Sequence, residues 1–119
     1  MSNPSKQKGT RFETEIANFL RASGFDTWRM AQTGHDDQGD IGGLRDFAIE
    51  ARNRKRLELA KNVDDANDRA RAKGCRYGVT IMKRQNRPTE DAYVAMDLAT
   101  FGEILLYLYE TDDSGFCAA

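Results

Sequence analysis

Residues 77–82, YGVTIM, form the most strand-like run in the chain, and their place in an alternation of short apolar runs and helical periodicity restricts the available folds. A second strand is predicted over residues 47–52 (FAIEAR), with Phe47, Ile49 and Ala51 facing one side and Ala48, Glu50 and Arg52 the other. Between the two, residues 57–73 have helical spacing, with Leu59, Val63, Ala66 and Ala70 on a thin, Ala-rich stripe that implies close packing; Gly74 ends it. Upstream, residues 10–23 predict a helix whose Phe12, Ile16, Phe19 and Leu20 share a face, and Gly24 stops it. Residues 26–30 (DTWRM) suit a short strand, and residues 40–44 (DIGGL) pair with FAIEAR across a tight turn at Arg45-Asp46. Residues 92–96 (AYVAM) add a strand. Asp97 then caps a helix running to Tyr109, with Leu98, Phe101, Leu105 and Leu108 inward. The order α-β-β-β-α-β-β-α predicts an α/β (α+β) fold with a mixed sheet flanked by helices, in preference to a bundle or a sandwich.

At 119 residues the chain has the size of one domain. Residues 1–8 read as a flexible basic arm, 9–110 as the domain, and 111–119 as a loose acidic tail. No apolar run approaches the roughly 18–20 residues that span a bilayer. The polar N-terminus lacks the apolar stretch of a secretory signal, so a cytoplasmic setting is expected. Cys75 and Cys117 are too few for a disulfide scaffold and lack metal-ligand spacing, which agrees with a reducing compartment.

The net charge of -1 is a cancellation. Residues 1–87 hold all 18 basic residues against 12 acidic ones, a balance of +6, whereas residues 88–119 hold 7 acidic residues and no basic ones. Lys6, Lys8 and Arg11 precede Glu13, the first two in the basic arm. Arg52, Arg54, Lys55 and Arg56 follow Glu50, and Lys83, Arg84 and Arg87 occupy a later loop. Arg outnumbers Lys by 12 to 6, which favours bidentate phosphate contacts. Cations in this pattern suit the phosphate backbone of nucleic acid, with little base readout. A scattered solubilising surface is the plainer alternative.

Three acidic features are able to carry chemistry. They are Glu13 or Glu15 on the first helix, Asp40 at a strand start, and Glu50 beside Arg52 on one strand face. A hairpin that sets Asp40 and Glu50 on adjacent strands offers two carboxylates to one hard cation such as Mg²⁺. Each feature also has a structural explanation. Thr10-x-x-Glu13 fits a capping box, Asp40 can close a turn, and Glu50 with Arg52 can be a same-face ion pair. His35 and Asp36-Asp37 read as solvated loop residues, and Asp64, Asp65, Asp68, Arg69 and Arg71 as the wet face of a helix.

The ordered set KGTRFETEIANFL, SGF, the Arg29-bearing TWRM, GDIGG and FAIEAR resembles the PD-(D/E)XK nuclease superfamily. Within it, the likeness is to archaeal-type Holliday junction resolvases and their phage relatives. It covers residues 8–56 by motif and the remainder by element order. The resemblance implies a restriction-endonuclease-like core and a Mg²⁺- or Mn²⁺-dependent endonuclease acting on branched or double-stranded DNA, and a homodimer. It implies Asp40, Glu50, the Ala51 carbonyl and Glu13 as metal ligands, with Glu15 in a lesser role. It places Arg29 near the scissile phosphate. Lys8, Arg11, Arg54, Lys55, Arg56, Lys83 and Arg84 are the expected remaining DNA contacts.

Arg52 stands where the family has its signature lysine. Lysine can release a proton in a tuned site and arginine does not, so Arg52 suits charge stabilisation and not general base work. Lys55 and Lys83 are the candidate surrogates. The substitution also keeps open a catalytically weak or silent DNA-binding protein of the same fold. A nuclease for other DNA ends or single strands, and a small RNA-binding module, are further alternatives.

Overall fold

The computed structural model describes residues 4–30 and 39–111, with side chains described for 7–30 and 41–110. It is a mixed α+β fold. The elements are α1 (Pro4–Ala22), β1 (Trp28–Met30), β2 (Gly39–Gly42), β3 (Phe47–Arg52), α2 (Leu59–Lys73), β4 (Tyr77–Met82), a 3₁₀ turn at Thr89–Asp91, β5 (Tyr93–Ala95) and α3 (Leu98–Thr111). The five strands lie in sequence order across one sheet. Neighbours run antiparallel except β3 and β4, which are parallel and joined by α2.

Helix α1 covers one face of the sheet, and the strand alternation explains why it does. Phe12, Ile16 and Ala17 of α1 pack against Ile41, Ile49 and Ala51, with Phe47 and Ile81 at the margin. The even-numbered positions of β3 and β4 face α2. A methyl group added at Gly78 would stand 2.4 Å from the Ala66 carbonyl oxygen, so α2 lies almost on the backbone of β4. The Ala-rich stripe makes this approach possible, with Ala66 and Ala70 buried. Leu59, expected on that stripe, is instead exposed in the first turn of α2.

Further departures follow. Helix α1 begins at Pro4, so residues 4–8 of the expected arm are helical; proline suits a first turn, where its missing N–H costs nothing. The helix runs straight through Gly9. Thr10 is therefore interior, its carbonyl accepting from the Thr14 hydroxyl at 3.0 Å, and it caps nothing. The tight turn expected at Arg45-Asp46 is a longer connection, residues 43–46, because β2 ends at Gly42 and not at Leu44; Gly43 (φ 99°) and Asp46 (φ 66°) take the left-handed conformation within it. Along α3, Leu98, Phe101 and Leu108 are exposed rather than inward. His35, Asp36, Asp37, Cys117 and the tail 112–119 lie outside the described residues. Among the described residues, no helix is long and apolar enough to cross a membrane.

Candidate nucleic-acid interface and buried carboxylate

The carboxyl ends of the parallel pair β3 and β4 form the part of the sheet where chemistry-bearing residues collect. In sheets of this kind ligands favour that end, where the loops diverge. Beyond it the chain continues as residues 53–56 from β3 and 83–87 from β4, and hydrogen bonds tie the two loops together. The Lys83 amide donates to the Arg52 carbonyl at 2.9 Å. The Gln85 amide nitrogen donates to Asn53 Oδ1 at 3.0 Å and to the Arg54 carbonyl at 3.3 Å, and Asn53 donates in turn to the Lys8 carbonyl at 3.4 Å. Three cationic segments from distant parts of the sequence are thereby joined into one rim.

Individual cations on the rim are held in different ways. Lys8, Arg11, Arg54, Lys55 and Arg56 are exposed. Lys83 projects over the Phe12 ring, its ammonium 5.4 Å from the ring centre and 4.0 Å from Glu15 Oε2. The Arg84 guanidinium lies 5.0 Å from the Tyr93 ring centre, a cation–π contact that leaves its edges available. Arg87 pairs with Asp91 at 3.0 Å. Glu15 serves the scaffold, since Oε2 also accepts from the Thr89 hydroxyl at 2.7 Å and so ties the 3₁₀ turn to α1.

Below the rim, Glu50 is fully buried on the α2 face of β3. Arg52 Nη2 lies 2.5 Å from one carboxylate oxygen and Arg69 Nε 3.1 Å from the other. Arg52 also reaches Asp65 at 3.7 Å, and Asp65 pairs with Lys61 at 2.8 Å. A buried carboxylate needs such charge-assisted partners to offset its lost hydration. Thr80 is opposite Glu50 in the parallel ladder and fully buried, and its hydroxyl has no hydrogen-bond partner among the described residues. Arg69 and Asp65, expected to be solvated, belong to this cluster. The signal was the thin stripe itself: where only alanines separate helix from sheet, long side chains beside them reach the strands.

The structure separates the predicted acidic set. Asp40 is opposite Glu50 in the β2–β3 ladder; its side chain lies outside the described residues. Glu13 is on the other face of the sheet. Its Oε2 accepts from Arg29 Nε at 2.6 Å, and Arg29 is the ladder partner of the core residue Ile41. Arg29 thus holds Glu13 to β1, assisted by a 3.4 Å bond to the Thr10 hydroxyl. The Ala51 carbonyl accepts from Arg52 Nη1 at 3.1 Å. Lys83, on the α1 face with Phe12, is likewise on the far side of the sheet from Glu50.

Among the described residues, no group of three or more His, Cys, Asp or Glu side chains is placed to hold a metal ion. Both Glu50 carboxylate oxygens already face guanidinium groups, from Arg52 and Arg69. A cation at Glu50 would therefore compete with Arg52 and Arg69 for the same oxygens. No family model, curated protein or solved structure matches the chain.

Proposed function

We propose that the chain is a structure-specific DNA endonuclease of the resolvase-like kind, built on a restriction-endonuclease-like core and dependent on Mg²⁺ or Mn²⁺. The observation that supports this most is the pairing of Asp40 with Glu50 on adjacent strands, at the end of the sheet crowned by the basic rim. Lys8, Arg11, Arg54, Lys55, Arg56 and Arg84 bind phosphates of branched or double-stranded DNA without reading bases. Asp40 and Glu50 are the residues that would hold the divalent ion, which when bound supplies a polarised phosphate and an activated water. Arg52 and Arg69 hold the Glu50 carboxylate in place. Glu13 and Arg29 keep α1 on the sheet.

A second reading is a catalytically silent DNA-binding protein of the same fold. It is favoured by the two guanidinium groups that occupy the Glu50 oxygens. One experiment separates the two. A synthetic four-way junction, with duplex, flap, single-strand and RNA controls, is incubated with the protein in Mg²⁺ or Mn²⁺. Junction cleavage that Asp40→Asn abolishes, with binding kept, supports the nuclease. Binding without cleavage, in the wild type and in Arg52→Lys, supports the silent binder. Preference for another substrate reassigns the target, and absence of binding overturns both readings. Metal occupancy has its own readout: Mg²⁺ raises the unfolding temperature of the wild type by mass action and leaves that of Asp40→Asn unchanged.

A further inference from the structure

Tyr93 opens β5, the edge strand beside β4, and the residue is 47% exposed. Its ladder partner is Met82, whose own partner in β3 is Arg52, so Arg52, Met82 and Tyr93 make one row across three strands. Side chains in such a row share a face of the sheet, here the face that holds Glu50. Two strand spacings set the Tyr93 backbone about 10 Å from that of Arg52, at the end of the sheet where the rim lies. Arg84 comes from the rim and holds its guanidinium 5.0 Å from the ring centre. Among the described residues, Tyr93 is the exposed aromatic ring that carries a rim cation.

Covering a sheet edge requires no ring. Val94, the next residue along β5 and on the other face, is 59% exposed with an aliphatic side chain. A ring beside an arginine has a use that bulk alone does not supply. It offers a π-face to a base, while the guanidinium edges meet the adjoining phosphate. The charges nearby agree with that use. Glu90 and Asp91, which precede β5, lie in the 3₁₀ turn that Thr89 ties to Glu15 of α1 on the opposite face, and Asp91 is paired with Arg87.

A base inside a continuous duplex has both faces covered by its neighbours, so a protein ring stacks only where a neighbour is missing. Such stacking tolerates any base identity, in keeping with a rim that contacts phosphates and does not read sequence. We propose that Tyr93 with Arg84 is a stacking platform for an unpaired base. The DNA that the rim binds best is then duplex adjoining unpaired nucleotides, as at a gap or a flap, in preference to a fully paired junction. This rests on the reading of the rim as a DNA interface, and on neither metal nor cleavage.

The test is the affinity of the full-length protein, without divalent metal and over a series of salt concentrations. The probes are two duplexes with the same ends, one continuous and one with a short gap holding 2-aminopurine, and a fully paired four-way junction. The wild type is expected to bind the gapped duplex most tightly and to quench the 2-aminopurine fluorescence. Tyr93→Ala should weaken gapped binding by about 5- to 150-fold and abolish the quench. It should leave continuous-duplex affinity and the salt slope unchanged, because the ring releases no counterions. Tyr93→Phe keeps the ring and should match the wild type. Circular dichroism confirms folding, and Tyr93→Leu, apolar but without a π-face, replaces the alanine variant if that one is unfolded. Equal wild-type affinity for gapped and continuous duplex overturns the proposal, as does tighter binding of the paired junction or an equal loss on both duplexes in Tyr93→Ala. In each of those cases the rim still binds DNA and only the platform fails. Binding to none of the three probes overturns the DNA interface and the platform together.

Discussion

Glu50 and Glu13 show how two carboxylates of similar burial come to different uses. Glu50 has guanidinium groups on both oxygens inside the α2 interface, whereas Glu13 has Arg29, a part-exposed partner, on the opposite face. Removing the buried member strands the charges around it. Glu50→Ala is therefore expected to cost about 3–5 kcal/mol, since Arg52 and Asp65 remain in place with little water. Arg69→Ala should cost less, because the Arg69 side chain is partly exposed and its site can rehydrate. Urea unfolding of both variants checks the order, and a smaller loss for Glu50→Ala than for Arg69→Ala would show that Arg69 is the member that anchors the cluster. The sequence displayed Glu50 and Arg52 as neighbours on one strand face. Arg69 was signalled only indirectly, by the thin Ala-rich stripe, because its relation to Glu50 depends on how closely α2 settles on the sheet.

That closeness belongs to the element scale, and Gly78 sets it. With the Ala66 carbonyl oxygen 2.4 Å from where a methyl group would stand, the obstacle is backbone and cannot rotate away. Gly78→Ala is expected to push α2 off β4 and lower stability by about 1–3 kcal/mol, read as a shift in the urea midpoint. The strands at 47–52 and 77–82 were legible because alternation and β-branching agree there. The start of α1 was not, because Gly9 and the polar residues before it have no apolar period; the helix is carried through them from the packed turns that follow. Of the stripe predicted to face inward along α3, Leu98, Phe101 and Leu108 are exposed, since periodicity gives a helix an apolar side but does not say that the rest of the chain covers it. Asp97 does cap that helix: its carboxyl is held below the ordinary 3.8, first by the Thr100 hydroxyl and then by the Thr100 amide. A depressed value means that the folded state favours the ionised form. The stabilisation is thus complete above the unfolded value and is lost as pH falls through 3.8 and below. Acidification from about pH 5 to about pH 2 should remove part of the helical dichroism of the wild type. Asp97→Ser, with a neutral cap, should show no such acid-dependent step at α3.

For the whole molecule, the segregation of charge along the chain acquires a spatial counterpart. Three of the cationic segments, from the start of α1, the end of β3 and the end of β4, are bonded into one rim, while the part of the chain without cations supplies β5 and α3. If the rim binds DNA as proposed, it does so through counterion release, and the salt dependence of binding counts the phosphates it neutralises. Each contact contributes about 0.9 to the slope of log K against log salt for duplex DNA. Arg54, Lys55 and Arg84 are on the rim, and the first two have exposed side chains with no role in the core. Replacing all three by Gln is expected to reduce that slope by up to about 2.7, equally for any duplex sequence, if each makes one contact. The unfolding temperature should change little, because Gln85 and Asn53, which bind the loops together, are kept. Replacing Arg45, Arg71 and Arg76, exposed cations outside these three segments, removes the same charge and should leave the slope nearly unchanged. Equal effects from the two triple variants would mean that DNA senses only the net charge of the protein, and the rim would then have no standing as an interface.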